Sequence, residues 1–138
     1  MPFTIVQCPI AGLYEIQPKV FSDNRGYFFE SWSQRDFAAA GIAYSFVQDN
    51  QSKSSKGVLR GLHFQKNYPQ GKLVRVLSGE VFDVAVDIRK ESASYGRWYG
   101  VILSAERQNQ FFISPGFAHG FLVLSDEAIF AYKCTNFY

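Results

Sequence analysis

The stretch KLVRVLSGEVFDVAVDIRK, residues 72–90, constrains the fold more than any other part of the sequence. Two apolar runs flank Ser78-Gly79, a dipeptide typical of a tight β-hairpin. In the second run the side chains at 82, 84, 86 and 88 share one face of a strand, and those at 81, 83, 85 and 87 share the other. The pattern predicts two strands joined by a hairpin turn.

Further strand patterns follow along the chain. After Ala43, apolar segments recur at intervals of about ten residues between Gly, Pro, Ser or Asp, which is typical of an antiparallel sandwich or barrel. They are RWYGVILS, NQFFIS, HGFLVLS and AIFAYKCT. SQRDFAAAGI is the one helical pattern, with Ser33 or Asp36 as its N-cap and Gly41 at its end. We therefore expect residues 1–138 to form a single all-β domain, a jelly-roll sandwich or barrel with one short helix.

The composition excludes several classes of protein. The chain has 14 basic and 12 acidic residues, a net charge of +2 and no basic block, so we expect no nucleic-acid partner. No apolar run approaches the roughly 20 residues of a membrane helix, and no secretion signal is visible. These features predict a soluble, cytoplasmic protein without a membrane partner. Cys8 and Cys134 form no CxxC pair and are expected to be small buried side chains.

Two polar groups of residues allow both a structural and a functional interpretation. In FSDNRGYFFE, Arg25 interrupts an aromatic run that Glu30 closes. This segment is either an exposed turn with an ion pair or a site where aromatic rings stack on a base and arginine binds phosphate. Gln48-Asp49-Asn50 is either a turn or a set of donors and acceptors for a ligand.

His63, in GVLRGLHFQ, is a candidate for a catalytic base, a metal ligand or a core residue. Arg60 and Lys72 would favour the neutral imidazole that a base requires. On a regular strand Arg60 and His63 would face opposite ways, because an odd number of positions separates them. A bulge at Gly61 would bring them to one side.

The second histidine and one tyrosine are further candidates. His119, in SPGFAHGFLVLS, is either a structural hydrogen-bonding residue or a member of one site with His63. Neither histidine has the HxH or HxxxE spacing of a metal site, so we expect no metal. Tyr132 alternates with Phe130 and is either a core residue or a proton donor opposite His63.

Six motifs, taken in chain order, resemble one known family. They are DNRGYFFE, FVQDNQSKS, GVLRGLHFQ, GKLVRVLSGEVFDVAVDIRKESASYGRW, SPGFAHGFLVLS and YKCTNFY. The chain resembles the dTDP-4-dehydrorhamnose 3,5-epimerase family of cupin-like jelly rolls from about residue 3 to its last residue. The resemblance implies an isomerase that inverts C3 and C5 of dTDP-4-dehydro-6-deoxy-D-glucose in dTDP-rhamnose biosynthesis, a route to O antigen. Such chemistry needs a base, an acid and a cation at the C4 oxygen, without a cofactor.

The resemblance also implies a role for each candidate residue. His63 corresponds to the base, Tyr132 to the proton donor on the opposite face of the sugar, and Lys72 to the lysine near the C4 oxygen. Tyr138 corresponds to an aromatic residue that lines the site. The residues implied to bind the sugar, nucleotide and diphosphate are Arg25, Glu30, Gln48, Asp49, Asn50, Arg60 and His119. Family members are homodimers that exchange N-terminal strands, so we expect some contacts to cross the subunit boundary.

One family feature has no counterpart in these motifs. Family chains continue through a WND turn and an S-x-K-D segment, whose aspartate pairs with the base, whereas this sequence stops at Tyr138. Asp83 or Asp87, on a neighbouring strand, is a candidate to replace that aspartate in part. The alternative is a shortened or diverged family member with reduced activity. The alternatives are a relative that inverts a single carbon, a 3,4-ketoisomerase, and a nucleotide-sugar binding module without catalysis.

Overall fold

The structure, a computed structural model, describes residues 2–137. Within this range, strands dominate and there is one helix, Gln34–Ala39. The elements are β1 (Phe3–Gln7), β2 (Leu13–Pro18), β3 (Phe21–Asp23), β4 (Gly26–Phe28), α1 (Gln34–Ala39), β5 (Gln48–Ser55), β6 (Leu59–His63), β7 (Lys72–Ser78), β8 (Glu80–Asp87), β9 (Trp98–Ser104), β10 (Gln110–Ile113), β11 (Phe117–Val123) and β12 (Glu127–Cys134). The predicted all-β fold with one short helix is confirmed.

The strands form two antiparallel sheets and a separate hairpin. The six-stranded sheet has the order β1-β2-β10-β7-β12-β5, and the four-stranded sheet has the order β6-β11-β8-β9. The hairpin consists of β3 and β4. Strands that follow each other in the chain are thus distributed between the two sheets, which is the arrangement of a jelly roll.

The predicted pairing of the two runs around Ser78-Gly79 is wrong. β7 pairs with β10 and β12 in the six-stranded sheet, whereas β8 pairs with β9 and β11 in the other. Gly79 makes the corner between the sheets with a φ of +91°, and a Cβ there would collide with the carbonyl oxygen of Glu127. The same dipeptide suits a corner and a hairpin, because both need a residue in the left-handed region.

The main core lies between the two sheets, and a second cluster covers the outer face of the larger one. On β8, the predicted alternation is confirmed, and the buried face is the one that includes Asp83 and Asp87. On β10, Phe111 belongs to the main core, while the next residue, Phe112, packs with Phe37 of α1 in the outer cluster.

Two smaller predictions are confirmed. Ser33 is the N-cap of α1, and its hydroxyl accepts a hydrogen bond from the Asp36 amide at 3.4 Å. Cys8 and Cys134 are both buried and free. No helix in the described part of the chain has the length and apolar character needed to cross a membrane.

Candidate active site

A cavity of about 360 Å³ lies between the two sheets. Strands β6 and β11 border it from the four-stranded sheet, and β5, β7 and β12 border it from the six-stranded sheet. Its lining residues are Gln48, Asn50, Gln51, Ser52, Arg60, His63, Lys72, His119, Phe121, Phe130 and Tyr132. Most of the residues singled out from the sequence therefore meet at one place.

Arg60 and His63 reach the same cavity because β6 is irregular at Gly61. In the pairing of β6 with β11, His63 lies opposite His119, and Arg60 lies opposite Phe121, so β6 contains one extra residue. Gly61 has a φ of +114°, and a Cβ there would lie 2.7 Å from the His119 carbonyl oxygen. Only glycine fits this space without displacing the backbone. The predicted bulge is confirmed.

The two histidines lie side by side in very different surroundings. His63 is exposed, and no hydrogen bond to it is formed within residues 2–137. His119 is buried, and its Nε2 lies 3.0 Å from Oδ1 and 2.8 Å from Oδ2 of Asp83. Asp87 binds Arg89 instead, with Oδ1 2.9 Å from Nε. The suggestion that Asp83 or Asp87 partly replaces the missing partner of His63 is therefore wrong, because both carboxylates bind other side chains.

Lys72 brings positive charge to the wall formed by the six-stranded sheet. Its Nζ lies 5.4 Å from the centroid of the Tyr132 ring. Burial lowers the pKa of Lys72, while the charges of Cys134 and Asp83 act in the opposite direction. Burial likewise raises the pKa of Asp83, and His119 and Lys72 offset part of that rise. An ammonium in these surroundings is suited to stabilising negative charge that develops in the cavity.

Packed aromatic rings line one side of the cavity. The rings of Phe121 and Phe130 stack with centroids 4.0 Å apart, and the His119 ring lies over Phe130 at 6.0 Å. Tyr132 meets Phe130 at 5.9 Å in a tilted arrangement. Sequence reasoning missed Phe121 as a lining residue, although its position two residues after His119 on one strand was a usable signal.

The predicted nucleotide-binding residues fall into separate groups. The Arg60 Nε donates a hydrogen bond to the Ser54 Oγ at 2.8 Å, a contact that sequence reasoning missed. Gln48 and Asn50 line the cavity, and the Gln48 Nε2 donates to the Asn50 Oδ1 at 3.0 Å. Asp49 lies between them on the opposite face of β5, where it accepts a hydrogen bond from Lys133 at 3.1 Å. Strand alternation thus places Asp49 outside the cavity.

The remaining predicted residues are not brought to this cavity. Arg25 lies on the exposed β3–β4 hairpin and pairs with Asp23 at 2.7 Å. Glu30 is exposed two residues after β4. Tyr138 lies outside the described residues. Within residues 2–137, no group of three or more His, Cys, Asp or Glu side chains is arranged to hold a metal ion.

Comparison with known proteins identifies the family. A family model described as dTDP-4-dehydrorhamnose 3,5-epimerase matches residues 7–138. The chain belongs to the dTDP-4-dehydrorhamnose 3,5-epimerase family. A dTDP-4-dehydrorhamnose 3,5-epimerase from Shigella flexneri is 59% identical over 136 residues, which cover 97% of this chain and 75% of that protein.

Solved structures of relatives share the fold of this epimerase family member. A dTDP-6-deoxy-D-glucose-3,5-epimerase from Legionella pneumophila, in complex with dTDP-4-keto-L-rhamnose, is 56% identical with a TM-score of 0.96 and matches 99% of this chain and 73% of that one. A 3'-monoepimerase from Streptomyces bikiniensis, in complex with dTDP-quinovose, is 32% identical with a TM-score of 0.89; the match covers 96% of this chain and 68% of that one. The predicted cupin-like jelly roll is thereby confirmed.

The cavity of this epimerase family member combines three functional groups. His63 projects from the four-stranded sheet, whereas Lys72 and Tyr132 belong to the six-stranded sheet. An imidazole and a phenol thus border one cavity from opposite sheets, with an ammonium beside the phenol. Such an arrangement can remove a proton from one side of a bound sugar and return a proton to the other.

Proposed function

We propose that this chain inverts C3 and C5 of dTDP-4-dehydro-6-deoxy-D-glucose and forms dTDP-4-dehydro-L-rhamnose. One observation carries the proposal: His63 and Tyr132 line the same cavity from opposite sheets, and the Lys72 Nζ lies 5.4 Å from the centroid of the Tyr132 ring. The names of the relatives support the same reaction and a place in dTDP-rhamnose biosynthesis.

The chemistry follows from the C4 ketone of the sugar. The neutral His63 imidazole removes the proton at C3, and the electron pair of the broken C–H bond forms an enolate whose negative charge lies on the C4 oxygen. The Lys72 ammonium stabilises that oxygen. Tyr132 then donates its hydroxyl proton to C3 from the opposite face, and the enolate returns to the ketone. The same cycle at C5 follows once solvent has reset both groups to their starting protonation states.

The nucleotide is held by groups at the edge of the cavity. Arg60 keeps its Nη groups available for the diphosphate, because only its Nε is used in the bond to Ser54 among the described residues. Gln48 and Asn50 provide amide donors and acceptors beside it. This division assigns binding of the diphosphate to Arg60 and proton transfer to His63, although they lie on the same strand.

A second copy of the chain supplies the remaining nucleotide contacts in this proposal. Arg25 and Glu30 lie outside the cavity of their own protomer, and the exposed β3–β4 hairpin that includes Arg25 is free to reach a partner. The outer side of the four-stranded sheet is also rich in exposed apolar residues, which favours a protein partner. They are Leu59, Leu62, Trp98, Ile102 and Leu122. We therefore propose a homodimer.

Inversion of a single carbon is the alternative that a specific observation favours. The 3'-monoepimerase from Streptomyces bikiniensis has the same fold, so the scaffold alone does not determine how many carbons react. Analysis of the product by NMR separates the two functions. A product inverted only at C3 would replace the proposed double inversion.

The proposal is tested with His63→Ala, using Gln51→Ala as a control that lines the same cavity. We expect His63→Ala to lower kcat by about 10²–10⁴-fold, because a general base is lost. The affinity for dTDP, measured by calorimetry, should stay within about threefold of the wild-type value, since Arg60 binds the diphosphate. Equal loss of turnover and affinity would assign His63 a structural role, and unchanged turnover would refute the proposal.

A further inference from the structure

Asp83 is a fully buried carboxylate on the core face of β8, where its neighbours two residues away are Val81 and Ala85. An apolar side chain would pack at this position without the cost of removing a charge from water. Both oxygens of Asp83 instead lie within hydrogen-bond distance of one atom, the His119 Nε2, at 3.0 and 2.8 Å. The Asp83 carboxylate is therefore placed to fix the orientation of the His119 ring.

The His119 ring is held on two sides. Its Nε2 faces Asp83, and its flat face lies over the Phe130 ring at an angle of 23°. The other ring nitrogen, Nδ1, makes no hydrogen bond within residues 2–137, and His119 lines the cavity beside His63. An imidazole whose Nε2–H is donated to a carboxylate presents Nδ1 to whatever fills the cavity.

We propose that Asp83 is a positioning residue of the active site: it keeps the His119 proton on Nε2, so that Nδ1 is the nitrogen that contacts the sugar. This inference rests on the proposed function for its kinetic consequence, but the position of the proton is independent of it. Burial raises the pKa of Asp83, while His119 and Lys72 offset part of that rise and favour the ionised carboxylate that accepts this bond. Asp83 thus acts on the substrate only through His119.

The direct test is the ¹⁵N spectrum of the imidazole groups of the uniformly labelled protein, recorded where the rings are neutral. The expected result is a protonated Nε2 for His119 in the wild-type protein. Asp83→Asn, whose amide can donate as well as accept, should move part of the proton population to Nδ1. Asp126→Asn is the control, because it makes the same change at an exposed carboxylate. Its His119 signals should match those of the wild type.

Two spectral results would overturn the inference. The first is a wild-type His119 that is protonated on Nδ1, which needs no variant and so remains decisive if Asp83→Asn fails to fold. The second is an unchanged His119 spectrum in a folded Asp83→Asn protein. Neither result depends on turnover. If the proposed epimerase activity is wrong, the wild-type protein will show the expected His119 spectrum but will not react with the 4-keto sugar nucleotide.

A double-mutant cycle then tests whether the position of the His119 proton affects catalysis. Asp83→Asn is expected to lower kcat/KM by about 10- to 100-fold, the effect of one lost hydrogen bond to a charged group. Because Asp83 acts through His119, the Asp83→Asn/His119→Gln double variant should lose no more activity than His119→Gln alone. Losses that multiply would show that Asp83 acts on the reaction by another route and would overturn the inference.

Discussion

Asp87→Asn is predicted to destabilise the fold strongly without touching the proposed active-site residues. The Asp87 carboxylate is fully buried at the end of β8 and organises the loop that follows. Its Oδ1 accepts hydrogen bonds from the backbone amide and Nε of Arg89, both at 2.9 Å. Its Oδ2 accepts from the Arg89 Nη2 at 3.0 Å, from the Ser92 Oγ at 2.6 Å and from the Ser94 Oγ.

The size of the destabilisation follows from the hydrogen bonds that an asparagine at position 87 can still form. The amide oxygen can replace Oδ1, but the amide nitrogen would bring a donor against the Nη2 of Arg89 in place of Oδ2. Breaking a buried ion pair by removing one charge costs about 3–5 kcal/mol. A domain of ordinary stability, about 5–15 kcal/mol, would lose at least about a fifth of it. Arg89 also lies over the Phe117 ring at 4.6 Å, so a mobile Arg89 would loosen the start of β11.

Urea unfolding followed by circular dichroism measures this cost, with the exposed Asp126→Asn as a matched control that should change the free energy of unfolding by less than about 0.5 kcal/mol. Arg89 and the serine hydroxyls hold the pKa of Asp87 well below its usual range. Its contribution is therefore fully present above the unfolded-state pKa of about 4 and is lost as the pH falls below that value. The Asp87→Asn variant should not show this loss of stability in acid. A cost below about 1 kcal/mol, or an unchanged pH dependence, would refute the reasoning.

Three further substitutions test the site. Gly61→Ala should destabilise the protein by about 1–3 kcal/mol in urea unfolding, because Cβ meets backbone atoms at 2.7 Å in a left-handed conformation; a neutral effect would contradict the bulge. Lys72→Met should lower kcat by about 10²–10³-fold while leaving the unfolding free energy equal or higher, since no carboxylate within residues 2–137 forms a salt bridge with Lys72. Ser54→Ala should weaken dTDP binding by calorimetry about three- to tenfold, because the Arg60 guanidinium loses its anchor; Ser52→Ala should not.

The strands were predictable from the sequence because their pattern has a period of two and turn residues separate them. The same pattern does not determine which strands pair. Ser78-Gly79 predicted a hairpin, but it joins two sheets, because each flanking strand forms its hydrogen bonds with partners distant in the sequence. Pairing of this kind depends on how the whole chain packs and leaves no local signal.

The candidate site was predictable where motifs specify residue types and unpredictable where burial decides the partner. His63, Lys72 and Tyr132 meet in one cavity as expected. Asp83 was a candidate partner for His63, but its carboxylate contacts His119 on the neighbouring strand β11. Strand alternation showed that Asp83 and Phe82 lie on opposite faces of β8. The sequence did not indicate which face is buried or which imidazole the Asp83 carboxylate contacts.

The exchange of substrate protons with solvent tests the central claim most directly. Wild-type protein is incubated with dTDP-4-dehydro-6-deoxy-D-glucose in deuterated water, and the sugar is followed by NMR and mass spectrometry. Removal of a proton by His63 and return of a solvent-derived proton by Tyr132 predict deuterium at both C3 and C5, together with the L-rhamno product. A sugar nucleotide that binds measurably but acquires no deuterium at either carbon would contradict the proposed catalytic function.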